Sequence, residues 1–260
     1  MPRIALGLEY DGSAYRGWQR QRRVASVQAC VEQALGQVAD EPIELHAAGR
    51  TDRGVHACGQ VVHFDTTAER PDEAWLRGVN SHLPADIGVR WVRYPSDDFD
   101  ARRWAYARRY RYLLMDSELP PVLWRSRVGW TWKPLDAERM HQAAQCLIGE
   151  RDFSSFRAAS CQAKHPYRML RSVSVERMGP CVAVDVEANA FLHHMVRNIV
   201  GTLMVVGCGE QSPDWVASVL AARDRRCAGP TAVAQGLYFL GVLYDQSLAL
   251  PGPARGPIFA

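Results

Sequence analysis

The sequence predicts a mixed α/β protein of the α+β class, because short strands and amphipathic helices follow one another in the order β-α-β-β-α-β. The first hundred residues show this order once, and the rest of the chain repeats it more loosely. Repeated split β-α-β units are typical of ferredoxin-like or RRM-like domains, in which helices cover one face of an antiparallel sheet. We therefore expect two such halves, 1–105 and 106–246, with their sheets flanking a central cleft, and a tail over 247–260.

The elements of the first half follow from apolar periodicity and from turn residues. Ile4, Leu6, Leu8 and Tyr10 alternate with other residues, which predicts a first strand over residues 3–10 that ends at Asp11-Gly12. A helix is expected to follow Ser26, a residue type that caps helices, and to bury a stripe running from Val27 to Val38. The other predicted elements are strands at 43–48, 60–66 and 88–94 and a helix at 72–82.

The second half is predicted in the same way. Its elements are a strand at 108–115, a helix at 136–148, a hairpin of 170–178 with 181–188, helices over about 190–206 and after Ser212-Pro213, and a strand at 237–244. Three long loops remain, at 96–104, 117–134 and 151–168, and long loops in compact domains are often functional.

Composition excludes several classes of protein. Hydrophobic residues make up 47% and charged residues 23%, as in a folded soluble protein. No run approaches about 18 apolar residues, and the first residues alternate like a strand rather than a signal peptide, so we expect a cytoplasmic protein. The seven cysteines form no CxxC pair, which argues against a zinc ribbon or a disulfide framework.

Two basic stretches interleave arginine with aromatic rings and contain no acid. Residues 13–27 include Arg16, Trp18 and Arg20, and residues 101–112 contain five arginines among tyrosine and tryptophan. This combination suits phosphate neutralisation with base stacking. The alternative for either stretch alone is a solvated face of a basic protein, and the presence of two favours a nucleic-acid partner.

The segment AGRTDRGVHA, residues 48–57, places Asp52 between Arg50 and Arg53 and frames it with Gly49 and Gly54. An aspartate beside two arginines is commonly an ion pair. The glycines, however, permit positive φ angles and the close approach of another backbone. A rigid turn that displays one carboxylate, kept ionised by its arginines, is a suitable mount for a nucleophile.

The segment NAFLHHMVRNIVG contains further candidates. On a helix, His193 and His194 would point about 100° apart, and no acid follows either at helical spacing, so no metal site is predicted. Arg197 lies among apolar residues and needs a partner. An ion pair with Asp52 and exposure on a polar stripe are equally compatible with the pattern. No phosphate-binding glycine motif or serine elbow is present, so no nucleotide cofactor is expected.

Together, YDGSAYRGWQRQ, AGRTDRGVHA, ARRYRY, DFSSF and NAFLHHMVRNIVG resemble the TruA-type tRNA pseudouridine synthases, and the resemblance runs from Tyr10 to about Tyr244. It implies a cofactor-free isomerase that converts uridine to pseudouridine in the anticodon arm of tRNA, at about positions 38 to 40. It also implies a homodimer of chains with two RRM-like halves.

The resemblance assigns roles by position in this sequence. Asp52 matches the catalytic aspartate, and Arg197 matches the arginine that pairs with it. Tyr110 matches the tyrosine that packs against the flipped base, and Leu237 falls where an apolar residue lies under that base. Arg50 matches an arginine that enters the RNA stack when the uridine leaves.

Two other classes of function remain open at this point. A non-catalytic RNA-binding protein or tRNA chaperone of the same shape would explain the basic aromatic stretches but would give Asp52 no task. A metal-dependent hydrolase using His193 and His194 would be sensitive to chelators.

Overall fold

The computed structural model describes residues 2–257, which fall into two compact units. Unit 1 comprises Met1–Tyr106 with Tyr238–Arg255, and unit 2 comprises Ala107–Leu237 with Gly256–Ala260. The closing strand and most of the tail therefore group with the first unit. This differs from the boundaries predicted from the sequence, which place them in the second half and in a separate tail.

Strands and helices are named here in chain order. Within residues 2–257 the strands are β1 (Arg3–Tyr10), β2 (His46–Ala47), β3 (His56–Asp65), β4 (Ile87–Arg93), β5 (Ala107–Asp116), β6 (Gly129–Thr131), β7 (Gly149–Asp152), β8 (Tyr167–Met178), β9 (Cys181–Ala188) and β10 (Leu237–Leu243). The α-helices are α1 (Val27–Ala39), α2 (Val79–His82), α3 (Ala137–Ala144), α4 (Met195–Gly207) and α5 (Trp215–Ala222).

The sheet of unit 1 has the order β4-β1-β3-β10, with β2 added against β3. β1 is antiparallel to both β3 and β4, whereas β10 runs parallel to β3 through the pairs Tyr238 with His56 and Phe239 with Ala57. β1 is buried on both faces rather than alternating, since it is central and Trp91 covers Gly7. α1 buries the predicted stripe, including Val31 and Leu35.

The sheet of unit 2 has the order β5-β9-β8-β7, and β6 pairs in parallel with the other edge of β5. α3 and α4 pack together where Gly207 lies against Met140, with no room for a side chain between them. Tyr112 on β5 is fully buried and donates its hydroxyl proton to the Val233 carbonyl at 2.7 Å. Mixed α+β architecture is confirmed, because strands and helices alternate in both units.

Several predicted elements differ in detail from the observed ones. β1 has the predicted bounds, but β3 begins at His56, inside the AGRTDRGVHA segment, and β2 is shorter than expected. The helix predicted at 72–82 starts with a π-helical turn over Ala74–Gly78 before α2. The helix predicted from residue 190 begins only at Met195, and the short edge strands β6 and β7 were not predicted.

The described part of the tail lies against the strands rather than extending from them. The Ala254 N–H donates to the Leu240 carbonyl at 2.9 Å, and Pro253 sits against Gly241, whose φ of 149° no residue with a side chain readily adopts. In unit 2, Arg111 donates to the Pro257 carbonyl at 3.2 Å. Across residues 2–257, no helix is long and apolar enough to cross a membrane.

The N-termini of α1 and α3 yield a prediction about stability. Ser26 precedes α1, but its hydroxyl is buried and makes no hydrogen bond with any described residue. The Asp136 carboxylate instead accepts the Arg139 N–H at 3.0 Å and caps α3. We expect Asp136→Ala to lower the free energy of unfolding by about 1 kcal/mol. Ser26→Ala should leave it unchanged or raise it, because the substitution removes an unpaired buried hydroxyl.

Urea denaturation followed by circular dichroism measures both variants. Equal losses for the two would show that Ser26 caps α1 after all.

Candidate active site

The loop from Ala48 to Val55, here called the Asp52 loop, joins β2 to β3. Thr51 is buried within it, Asp52 is half-buried, and Arg50 and Arg53 are exposed. The Val55 N–H donates to the Asp52 carbonyl at 3.1 Å and closes a tight turn, in which Gly54 has a φ of 78°. The loop thus turns Thr51 toward the interior and both arginines toward solvent.

A second segment, around Gly17 and Trp18, braces this loop from outside β1. The Trp18 N–H donates to the Thr51 carbonyl at 3.0 Å. Gly17 has a φ of 101°, and a side chain there would come within 2.8 Å of the same carbonyl oxygen. Glycine is therefore required at this position both by the backbone angle and by the close approach.

Beneath the loop lies a buried polar network. Tyr10 Oη and Thr51 Oγ1 are 2.8 Å apart, and Gln60 Nε2 donates to the Gly49 carbonyl at 2.6 Å. Burial raises the pKa of Tyr10 to about 12, so its hydroxyl keeps its proton at neutral pH. These contacts join β1 and β3 to Thr51 and Gly49, one and three residues before Asp52. Nothing in the sequence pattern singled out Tyr10 or Gln60 for this role.

The start of β3 holds another buried polar residue that the sequence did not single out. His56 is 1% exposed, its Nδ1 lies 2.9 Å from Asp11 Oδ1, and its ring stacks on Tyr238 with centroids 4.8 Å apart. Gly12 lies directly against the Val55 carbonyl, with no space for a side chain. The Tyr10-Asp11-Gly12 turn and the Asp52 loop are therefore packed as one block.

In unit 2, Arg197 projects from the first turns of α4. Its Nε donates to the Ala232 carbonyl at 2.7 Å, and its own carbonyl accepts the Ala232 N–H at 3.1 Å. Arg197 is thus tied at two points to the segment that precedes β10. Burial raises the pKa of Tyr112, and the nearby Arg197 charge opposes that rise. The sequence left open that Arg197 lies exposed on a polar stripe of the helix. The residue is instead half-buried.

Tyr110 and Leu237 are both held in place within unit 2. Tyr110 is half-buried on β5, opposite Val186 of β9, and its ring meets the edge of Phe191 at a centroid distance of 5.0 Å. Leu237 is 6% exposed at the start of β10. Apolar and aromatic side chains fixed in this way are suitable for packing against a planar ligand.

The prediction that His193 and His194 diverge on a helix is wrong. α4 begins after them, and His194 adopts a left-handed conformation with a φ of 61°. The two rings lie together, with centroids 4.0 Å apart, instead of pointing about 100° apart. His193 also contacts Ser160, whose hydroxyl lies 3.1 Å from Nδ1.

The first basic stretch contributes less surface than its sequence suggests. Arg16 is exposed, but Trp18 is 2% exposed and packs on Tyr10 at 5.9 Å, so its ring is a core group and cannot stack on a ligand. Arg20 is paired with buried Glu32 at 2.8 Å. The prediction that all three contact RNA therefore needs correction for Trp18, because an aromatic ring beside a glycine turn was drawn into the core.

The second basic stretch is also partly paired internally. In unit 1, Trp104 and Tyr106 are exposed, by 38% and 45%. In unit 2, Arg109 and Arg111 both reach Asp185, Arg111 with a closest distance of 2.7 Å, and much of their charge is offset there.

The chain is therefore an α+β protein that holds the half-buried Asp52 carboxylate on a braced turn beside two exposed arginines. Comparison with known proteins identifies its family. A family model described as tRNA pseudouridine synthase matches residues 8–102 and 143–245, and the chain belongs to that family. Members are isomerases that act on uridine in tRNA.

Individual relatives are similar over nearly the whole chain. The tRNA pseudouridine synthase A of Salmonella arizonae is 58% identical over 257 residues, covering 99% of this chain and 95% of that protein. The protein of the same name from Cronobacter sakazakii has the same identity and coverage. A solved H/ACA RNP, bound to a substrate RNA containing 2'-deoxyuridine, has a chain that matches with a TM-score of 0.38 and 12% identity, covering 77% of this chain and 44% of that one.

Two glycines near Asp52 are expected to respond differently to substitution. Gly17→Ala places a methyl group 2.8 Å from the Thr51 carbonyl at a positive φ angle, and we expect it to cost about 2 kcal/mol or more of stability. The φ angle of Gly49 is not positive. A Cβ added there would lie 3.7 Å from the Phe239 ring, which is an ordinary van der Waals distance. Gly49→Ala should therefore be tolerated within about 1 kcal/mol.

Thermal and urea unfolding of the two variants provide the measurement. A Gly17→Ala protein as stable as Gly49→Ala would show that the Gly17 segment does not brace the loop.

Proposed function

We propose that this protein converts uridine to pseudouridine at positions 38, 39 and 40 of the tRNA anticodon stem-loop, with Asp52 as the nucleophile. The observation that carries the proposal is the Asp52 loop itself, which holds one half-buried carboxylate on a braced turn with Arg50 exposed beside it. The tRNA substrate follows from the family to which the chain belongs.

The reaction is an isomerisation, and its atoms balance without a cofactor. If Asp52 attacks C1′, the bond from C1′ to N1 of uracil breaks as an ester to the carboxylate forms. The detached uracil turns, C5 attacks C1′, and the carboxylate leaves. The proton on C5 is lost and N1 gains one. Two other routes would use the same carboxylate. In one it attacks the uracil base, and in the other it removes the 2′ proton to give a glycal.

The other predicted residues would act on the extruded nucleotide. Flipping a base out of its stack costs a few kcal/mol. Stacking on an aromatic ring recovers about 1–3 kcal/mol, a role we assign to Tyr110, with Leu237 as an apolar floor. Arg50 is exposed, as insertion into the vacated RNA stack requires. We propose Arg197 as the cationic partner of Asp52, a role carried by the resemblance.

Replacing the carboxylate tests the catalytic assignment. Asp52→Ala should bind unmodified tRNA about as tightly as wild type but form no pseudouridine, because the nucleophile is lost while the basic surface remains. Carbodiimide mapping of the tRNA product and a filter-binding measurement report the two properties separately. Asp98→Ala, a change of the same kind at an exposed acid of unit 1, is the matched control and should be fully active.

Substantial product from Asp52→Ala would exclude Asp52 as the nucleophile. Tight tRNA binding with no product from wild type would favour a non-catalytic RNA-binding protein. Loss of activity on adding a chelator would favour metal-dependent chemistry.

We also propose that the protein is a cytoplasmic homodimer, the state implied by its resemblance to the family. An exposed apolar segment in unit 2 supports a protein partner. Between Leu119 and Trp132, the exposed fractions are 76% for Leu119, 72% for Val122, 86% for Leu123 and 65% for Trp132. Clusters of exposed apolar side chains of this kind are typical of interfaces.

A charge placed in this segment should separate the subunits. We expect Leu123→Asp combined with Val122→Asp to be monomeric in light scattering, because carboxylates would be desolvated at an apolar contact. Val24→Asp, at another exposed apolar residue, should leave the mass at that of wild type. A wild-type monomer, or a dimer unaffected by the double substitution, would contradict this assignment.

A further inference from the structure

We propose that Tyr10 and Gln60 are positioning residues that set the place of Asp52 through Thr51 and Gly49. The inference rests on the proposed function, in which Asp52 is the catalytic group. Neither residue is available to RNA: Tyr10 is 4% exposed and Gln60 is fully buried. Any effect they have on catalysis must therefore pass through the loop above them.

The hydrogen bonds of Gln60 define the orientation of its amide. A carbonyl oxygen can only accept, so the 2.6 Å contact with the Gly49 carbonyl must be made by Nε2. Nε2 also lies 3.5 Å from Tyr10 Oη. The phenol oxygen accepts there, and it also lies 2.8 Å from Thr51 Oγ1, a hydrogen bond in which either hydroxyl can donate. Gln60, Tyr10 and Thr51 thus form a hydrogen-bonded chain that ends next to Asp52.

The same orientation leaves Gln60 Oε1 buried and without a hydrogen-bond partner among the described residues. A buried unpaired acceptor opposes folding, so Gln60 is a poor choice for stability alone. Its Nε2 contacts, by contrast, hold Gly49 directly and Thr51 through Tyr10. This arrangement is what a residue retained for geometry at the expense of stability should show.

The buried hydrogen bonds of Tyr10 and Gln60 restrain the inner side of the Asp52 loop. From the outside, Trp18 holds the Thr51 carbonyl, and the turn at Val55 holds the carbonyl of Asp52. Backbone bonds alone leave Thr51 free to rotate its side chain and Gly49 free to shift. With the buried bonds added, Gly49, Thr51 and the turn from Asp52 to Val55 are each held by a hydrogen bond. Displacing a catalytic group by about 1 Å can lower a rate by about 100-fold.

Gln60→Met is the most informative substitution, because methionine has a similar shape but removes both the amide bonds and the unpaired oxygen. We expect the single-turnover rate constant, with enzyme in excess over unmodified tRNA, to fall about ten-fold, the loss of roughly one buried hydrogen bond. The dissociation constant for tRNA should stay within about two-fold of wild type. The midpoint of thermal unfolding should fall only slightly, because removing the unpaired Oε1 offsets part of the cost of leaving the Gly49 carbonyl without its donor.

Thr51 offers a matched pair of variants. Thr51→Val removes the hydroxyl at almost constant volume and should slow single turnover about ten-fold, whereas Thr51→Ser keeps the hydroxyl and should stay near wild type. Tyr10→Phe should slow turnover at least as much as Thr51→Val, because it also removes the acceptor of Gln60 Nε2, and the double variant should be no slower than Tyr10→Phe alone. The control is Tyr244→Phe, which deletes a buried hydroxyl donating to Ala101 in the same unit and should leave turnover unchanged.

Hydrogen exchange of the peptide containing residues 48–55 gives a readout that does not depend on activity. Exchange there should accelerate in Gln60→Met and Tyr10→Phe, but not in Tyr244→Phe. An active wild type with unaltered turnover and loop exchange in Gln60→Met would overturn the positioning role and leave the proposed function standing. A rate loss that only tracks lower thermal stability would overturn it as well. If wild type is inactive but exchange of residues 48–55 still accelerates in Gln60→Met, the proposed function is rejected, whereas the restraint of the loop by Gln60 stands.

Discussion

The carbonyl and hydroxyl of Thr51 are the contacts on which the rest of the site depends. The Trp18 N–H binds the carbonyl from one side, and Tyr10 reaches the hydroxyl from the other. Because Thr51 is buried between them, Asp52 emerges at a defined point although the loop has no regular secondary structure. Strong side-chain bonds below and a glycine turn above substitute for a helix or strand. Under the proposed function, a fixed position is what Asp52 requires to act as a nucleophile.

These basic residues divide into two groups by their partners. Arg20, Arg109 and Arg111 pair with carboxylates, which offset part of their charge. Arg50 and Arg53 are exposed on the Asp52 loop. A net charge of only +3 is therefore compatible with RNA binding, because recognition depends on where arginines are exposed and not on their total.

Local periodicity predicted most elements, and the elements that it missed or misplaced have identifiable causes. β1 and the β8–β9 hairpin were anticipated because alternation and a Gly-Pro turn are local signals. β6 and β7 are too short to show a pattern, and they exist because an adjacent strand offers hydrogen bonds. The start of α4 was placed too early because the apolar spacing continues through the histidines, whereas the left-handed backbone at His194 delays the helix.

The sequence by itself determined the mixed fold, the order of its main elements, the motif around Asp52 and the family to which those motifs belong. Only the tertiary structure decided that Trp18 is a core residue, that Tyr10 and Gln60 meet beneath the loop, and that β10 joins β3. The physical reason is the range of the interactions involved. Propensity and turn chemistry act between neighbours, whereas burial and hydrogen-bond partners are set by segments about 40 to 180 residues apart.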